Sequence, residues 1–269
     1  MKRIAVFSFL LAFFILLGFF IFIRERKAKQ HKEEILQKEL ERSSSETMGK
    51  AKITLITVYD NYKANPELKT GWGFSCLIKI EGKNILFDTG ADSETLLSNT
   101  QKMGIDPKEI DFVFISHLHG DHTGGLSGIL KIKPNLKVYK SEDFSSPTQI
   151  INGIWTTCPL GTEIKEQSLI IESKQGLIII TGCAHPGIVN IVKKAKEMFP
   201  NENIYLVLGG FHLFAASDSK LKAIINDFKK MGVQKVAPSH CSGDRCRKLF
   251  KEEYKENFIE DGVGKVIEI

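Results

Sequence analysis

Ser116-His117-Leu118-His119-Gly120-Asp121-His122-Thr123-Gly124-Gly125 is the stretch on which the reading of this chain turns. Three histidines and an aspartate fall within six positions, directly after the apolar run 111–115. His117 and His119 alternate, so on extended backbone both imidazoles project to one side. Gly120 lets the chain turn sharply before Asp121 and His122. One loop can then offer two imidazoles to one cation, and a carboxylate with an imidazole to a neighbouring cation. Neutral imidazole nitrogen and carboxylate oxygen are donors that zinc accepts at ~2.0–2.2 Å. The bland alternative is a histidine-rich surface loop, which the crowding of these residues behind a buried strand disfavours.

Outward from this loop the chain is rich in short strands. Residues 53–59 alternate and carry Ile, Thr and Val; residues 76–80 and 84–87 flank Glu81-Gly82-Lys83 as a hairpin. Runs 177–181 and 204–208 are apolar throughout, as expected of strands covered on both faces. Helical patterns occupy 187–199 and 219–231. This order predicts an α+β domain of two stacked sheets flanked by helices.

The string H-L-H-G-D-H-T-G-G resembles the signature of the metallo-β-lactamase superfamily. The resemblance covers about residues 51–269 and implies a four-layer αββα sandwich with metals at one edge of the sheets. It also implies further ligands. His185, in Thr181-Gly182-Cys183-Ala184-His185-Pro186-Gly187, takes the third place beside His117 and His119. His240, in Pro238-Ser239-His240, completes a second site with Asp121 and His122. Asp88, in Leu86-Phe87-Asp88-Thr89-Gly90, falls where the family places an aspartate that orients a ligand from behind. For each, a structural role within the fold is the competing reading. A narrower likeness runs through Gly73-Phe74-Ser75, Glu166-Gln167-Ser168-Leu169, the His185 block, Gly209-Gly210-Phe211-His212-Leu213 and His240-Cys241-Ser242-Gly243. These blocks resemble the subgroup related to 7,8-dihydropterin-6-yl-methyl-4-(β-D-ribofuranosyl)aminobenzene 5′-phosphate synthase. Phe211-His212 stands where many superfamily hydrolases carry a bridging aspartate. His212 is therefore read as a ligand, a proton donor, a phosphate contact or a structural residue. Cys183 and Cys241 are read as thiolate ligands or as small buried thiols.

These residues imply one or two zinc ions, with manganese or iron as alternatives. Redox di-iron members of the superfamily replace the second histidine by a carboxylate; His119 stands there. The expected activity is hydrolysis of an ester, amide or phosphoester in a small-molecule substrate by metal-activated water, with Asp121 and His212 as catalytic residues. The alternatives are a synthase-like transferase and a non-catalytic ligand-binding scaffold tethered to a membrane.

The remaining expectations come from the ends and the bulk of the chain. Of its 269 residues, the first 50 hold 10 Lys/Arg and 6 Asp/Glu, leaving 27 against 26 for the rest. A nearly neutral domain lacks the basic excess of a nucleic-acid binder. Five scattered cysteines form no disulfide framework, although Cys241 and Cys246 are close enough in sequence to pair. Residues 4–23 carry no charge, and a helix of that length spans ~30 Å. They predict a single-pass N-terminal anchor over 1–23, followed by a charged stalk over 24–50. The excess of Lys and Arg after the apolar run predicts a catalytic domain on the cytoplasmic side.

Overall fold

The alternation along 53–59 becomes strand β1 (Ile53–Tyr59), joined by β2 (Ser75–Ile80), β3 (Lys83–Phe87), β4 (Phe112–Phe114) and β5 (Lys137–Tyr139). The structure is a computed structural model that describes residues 24, 26–27, 29–32 and 52–269. Strand β12 (Val266–Glu268) returns to pair with β1, giving the order β12-β1-β2-β3-β4-β5. A second six-stranded sheet comprises β6 (Thr148–Ile151), β7 (Ile154–Thr156), β8 (Leu169–Ser173), β9 (Gly176–Thr181), β10 (Ile204–Gly210) and β11 (Val233–Ser239), in the order β11-β10-β9-β8-β7-β6. Both sheets are mixed. In the first, β3, β4 and β5 run parallel; in the second, β9, β10 and β11 do.

The apolar strands are buried on both faces, and their alternate residues serve different layers. Ile178 and Ile180 of β9 meet Ile78, Ile85, Phe87 and Phe114 of the first sheet in the core between the sheets. Leu177 and Ile179 of the same strand face a helical layer with Ile191, Val192, Leu221, Phe228 and Phe250. On the far side of the first sheet, Val58, Leu77, Leu86 and Val113 pack with Leu96 and Ile129. The result is a four-layer αββα sandwich. The outer helices are α1 (Ser93–Lys102), α2 (Gly120–Thr123) and α3 (Leu126–Ile132) on one side, with α4 (Ile188–Met198), α5 (Asp218–Lys230) and α6 (Asp244–Tyr254) on the other.

Local chemistry sets the element ends. The 81–83 turn is shorter than the sequence pattern suggests: Lys83 already pairs with Ile80, leaving Glu81 and Gly82 at φ 49° and 73°. Two consecutive positive φ values match the twist of a two-residue hairpin. Helix α5 begins at Asp218 because the Ser217 side chain accepts the Lys220 N–H, and it stops before Gly232 at φ 74°. In α4, Ile188, Ile191, Val192 and Ala195 form one buried stripe.

Two expectations need correction. The predicted anchor falls on residues 4–23, outside the described residues. Among the described residues no helix is long and apolar enough to cross a membrane. The single-pass membrane localisation, with a cytoplasmic catalytic domain, is therefore withdrawn. The Cys241–Cys246 bridge does not form, and all five cysteines are free. Cys246 is committed to the apolar layer beneath α6, packed with Phe250 and Leu249, whereas Cys241 sits in the turn after β11.

Phe250 contacts Phe211, Phe228 and Tyr254 with ring centroids 5.6, 5.7 and 6.0 Å away. Phe250→Ala should destabilise the domain by about 3–5 kcal/mol through lost burial and a residual cavity. Urea denaturation checks this as a lowered midpoint at unchanged slope.

Candidate metal centre

Strands β1, β3 and β4 of the first sheet and β9, β10 and β11 of the second deliver their carboxyl-terminal loops to one edge of the sandwich. Those loops carry Asp60 and Asn61, Asp88, Ser116 to His122, Cys183 to His185, His212 and His240. Six of the chain's seven histidines lie there. Hydrogen-bonding and ring contacts link them through most of the cluster, so the sequence-predicted ligands 117, 119, 121, 122, 185 and 240 do converge.

His117, His119 and His185 form one donor group, with their ligand atoms within 4.8 Å of one another. His117 Nε2 and His119 Nδ1 stand 3.1 Å apart, and the His185 ring lies 4.8 Å from both neighbouring rings. His117 is fully buried and its Nδ1 is taken by Ser116 Oγ at 2.9 Å, which leaves Nε2 aimed at the cluster. A second group comprises Asp121, His122, Cys183 and His240. His240 Nε2 lies 3.3 Å from Asp121 Oδ2, and His122 Nε2 lies 3.8 Å from it. His185 Nε2 and His240 Nε2 are buried without hydrogen-bond partners. Buried polar atoms are rarely left unpaired, so these two nitrogens mark places that a ligand would satisfy. The donor set of imidazole, carboxylate and thiol fits a zinc-class cation.

Asp88 is the hub behind the cluster. Fully buried at φ 52°, it accepts the Ser116 N–H and Oγ–H, each at 2.7 Å, and its Oδ2 meets His122 Nδ1 at 2.6 Å. It therefore steers His122 directly and His117 through Ser116, the orienting role expected of it. Gly182 is what allows the two sheets to meet here. A Cβ at this position would lie 2.2 Å from Ser116 Oγ and 3.0 Å from Asp88 Oδ2.

Other supports were not legible as functional residues in the sequence. Glu166 is buried and receives the N–H groups of Gly182, Cys183 and Ala184 on Oε1 and that of His185 on Oε2. One carboxylate thus fixes the loop that carries Cys183 and His185. Asn61 Oδ1 meets His240 Nδ1 at 3.1 Å, turning Nε2 toward Asp121. Glu166 is 17 positions from Cys183 and 19 from His185, and Asn61 is 179 positions from His240. The sequence signal for Glu166 was its place in Glu166-Gln167-Ser168-Leu169, a block that resembles the synthase-like subgroup. Four non-glycine residues of the site, Asp88, Ala184, His212 and His240, have φ between 46° and 59°. Such conformations cost about 1–3 kcal/mol each and persist where surrounding contacts over-determine them.

Burial dominates the protonation of the cluster. It pushes His117 down to about 2 and His122 down to about 3, so both rings keep free lone pairs at neutral pH. Burial also raises Asp88 to about 8 against its hydrogen-bond donors. Asp121 is the opposite case: burial opposes ionisation, yet His240 and His122 hold its carboxyl well below the usual range. His212 is raised, chiefly by the neighbouring Cys241 sulfur, and it is exposed at the rim with its ring 4.6 Å from His185.

Asp88→Asn keeps the shape of the hub but removes the carboxyl group that meets His122 Nδ1. Zinc affinity should fall about 10- to 100-fold. Competition against a chromogenic chelator, with circular dichroism to confirm folding, checks this.

Comparison with known proteins agrees with the geometry. A sequence profile described as the metallo-beta-lactamase superfamily matches residues 73–193. The chain is 32% identical to the 7,8-dihydropterin-6-methyl-4-(beta-D-ribofuranosyl)-aminobenzene-5′-phosphate synthase of Methanocaldococcus jannaschii, over 80% of this chain and 96% of that protein. A solved structure described as a metal-dependent hydrolase of the beta-lactamase superfamily superposes with a TM-score of 0.68 at 28% identity, covering 81% of this chain and 99% of the other. The fold of the metallo-beta-lactamase protein YhfI from Bacillus subtilis is also shared, at a TM-score of 0.60 and 16% identity over 82% of this chain and 100% of that one. This chain is an enzyme that belongs to the metallo-β-lactamase superfamily and resembles its dihydropterin-ribofuranosylaminobenzene-phosphate synthase subgroup.

Proposed function

We propose that residues 51–269 form a zinc-dependent hydrolase acting on an ester, amide or phosphoester of a small molecule. The observation that carries this reading is the pair of adjoining donor groups, with His185 Nε2 buried and unpartnered in the first and His240 Nε2 buried against the Asp121 carboxylate in the second. His117, His119 and His185 would hold one ion; Asp121, His122 and His240 would hold the other. Bound zinc lowers the pKa of a water ligand to about 7 and polarises a carbonyl or phosphoryl oxygen.

The chain's own residues supply orientation and proton handling. Asp121 is ionised and belongs to the second group, where it would accept a hydrogen bond from the attacking water and fix its direction. Asp88 and Asn61 hold the imidazoles behind it in one orientation. His212, with its raised pKa and rim position, is suited to give a proton to the departing oxygen or nitrogen. A cleft of about 820 Å³ opens beside His119, bounded by Leu118, Phe144, Pro159, Ile164 and Lys165. Its size suits a small-molecule substrate.

A second reading is a synthase-like transfer. It is favoured by the similarity to the archaeal synthase, which extends over nearly all of that protein. A mass-spectrometric assay for the product in that protein's name would distinguish the two.

Chelation of the purified protein should abolish turnover of a phosphodiester, ester or lactam substrate, and zinc should restore it. Asp121→Ala should reduce kcat on the order of 100-fold or more. Activity that survives both treatments would end the metallohydrolase reading. His212→Asn has a distinct signature. A general acid must be protonated, so wild-type activity should decline as pH rises through a value above about 6.5. The variant should lose that alkaline limb of the pH–rate profile.

A further inference from the structure

Asp121, His122 and His240 supply three donors to the second group, and a tetrahedral ion takes four. No carboxylate follows β10, where Phe211 and His212 occupy the corresponding turn. The gap is filled from another strand. Cys183, carried on the turn after β9, places its Sγ 3.2 Å from His122 Nε2. That sulfur also lies within 4.8 Å of the ligand atoms of Asp121 and His240, and it shares a further group with His185 and His212. Ligand atoms on one tetrahedral zinc ion stand roughly 3.3–3.7 Å apart, given bond lengths of ~2.0–2.3 Å. The contacts of 3.2, 3.3 and 3.8 Å among Cys183, His122, His240 and Asp121 trace edges of such a tetrahedron. A second observation points the same way: His240 Nε2 is buried in the same group, with the Asp121 carboxylate 3.3 Å away but no directed hydrogen bond.

We infer that Cys183 is a thiolate ligand of the second metal site, standing in for the bridging carboxylate absent after β10. The inference rests on the metal-dependent reading proposed above and makes it more specific. When the ion binds, a sulfur–metal bond replaces the S–H bond and the proton leaves to solvent. The backbone around Cys183 suits a fixed ligand: its N–H is held at 2.9 Å by the buried Glu166, as is that of Ala184. A sulfur donor also restricts the choice of metal. Thiolate favours zinc or cobalt over magnesium and manganese, so the second site should reject the harder ions. Among the described residues Cys183 is the cysteine that enters these donor groups; Cys241 lies behind it, with its Sγ 3.6 Å from the Cys183 carbonyl oxygen.

Cobalt substitution of the full chain tests this without reference to turnover. Titration of the metal-free protein with cobalt(II) should produce a sulfur-to-cobalt charge-transfer band in the near ultraviolet as the second equivalent binds. Cys183→Ser should abolish that band and reduce tightly bound cobalt from two ions to one. Cys241→Ser and Cys246→Ala should retain the band. X-ray absorption of the zinc-loaded wild type, which needs no variant, should show a sulfur scatterer at ~2.3 Å. Bound cobalt with no charge-transfer band, a band that survives in Cys183→Ser, or a zinc shell of nitrogen and oxygen alone overturns the thiolate assignment while leaving the metal reading intact. A protein that binds neither cobalt nor zinc overturns both.

Discussion

The buried carboxylate of Asp88 is the interaction on which the site depends. It sits at the end of β3, receives the backbone and side chain of Ser116 at the end of β4, and touches His122. Through Ser116 it also reaches His117. A single fully buried group thus couples two strand ends to two imidazoles. Burying a carboxylate is costly unless its oxygens are satisfied, and here the three hydrogen-bond contacts supply that compensation. The same economy recurs across the cleft, where Glu166 collects four backbone N–H groups from the loop bearing Cys183 and His185. Asp88 and Glu166 are thus buried carboxylates that each fix loops on one side of the centre.

That construction explains how an edge of a sandwich can concentrate so many donors. Parallel neighbours β3–β4 and β9–β10–β11 end on the same side, so their following loops meet in one crevice. The apolar residues between the sheets hold the two loop sets in register, and Gly182 permits the contact distance. Left-handed backbone at Asp88, Ala184, His212 and His240 directs side chains inward at a local energetic cost. Such strain is borne by the surrounding core, which is extensive on both faces of the second sheet.

Electrostatics then divides the site into parts with different duties. The deeply buried rings, His117 and His122, resist protonation because a charge there would be poorly solvated. Asp121 stays ionised in spite of partial burial because imidazoles surround it. At the rim, His212 is more exposed and more basic. A gradient from neutral donors inside to a protonatable group outside is suited to holding a cation while exchanging protons with solvent.

The sequence by itself located six of the twelve strands, two of the outer helices and the identity of the histidine cluster. Periodicity and the residue chemistry of 116–125 are local properties, and strands β1 and β9 fall within a residue of where the pattern put them. The family likeness also located His185, His240 and Asp88 before any coordinates were considered. Only the tertiary structure decided the rest. Glu166 falls in a block of family likeness, but its role as an anchor appears only because β8 lies beside β9. Asn61 supports His240 across 179 positions. Cys183 is 61 positions from His122 in the chain, and only the fold sets its sulfur 3.2 Å from that ring. The apolar run at residues 4–23 lies outside the described residues, among which no helix is long and apolar enough to cross a membrane. Short-range order is written in consecutive residues, whereas a donor set is defined by distances between strand ends, and those are fixed only when the two sheets pack.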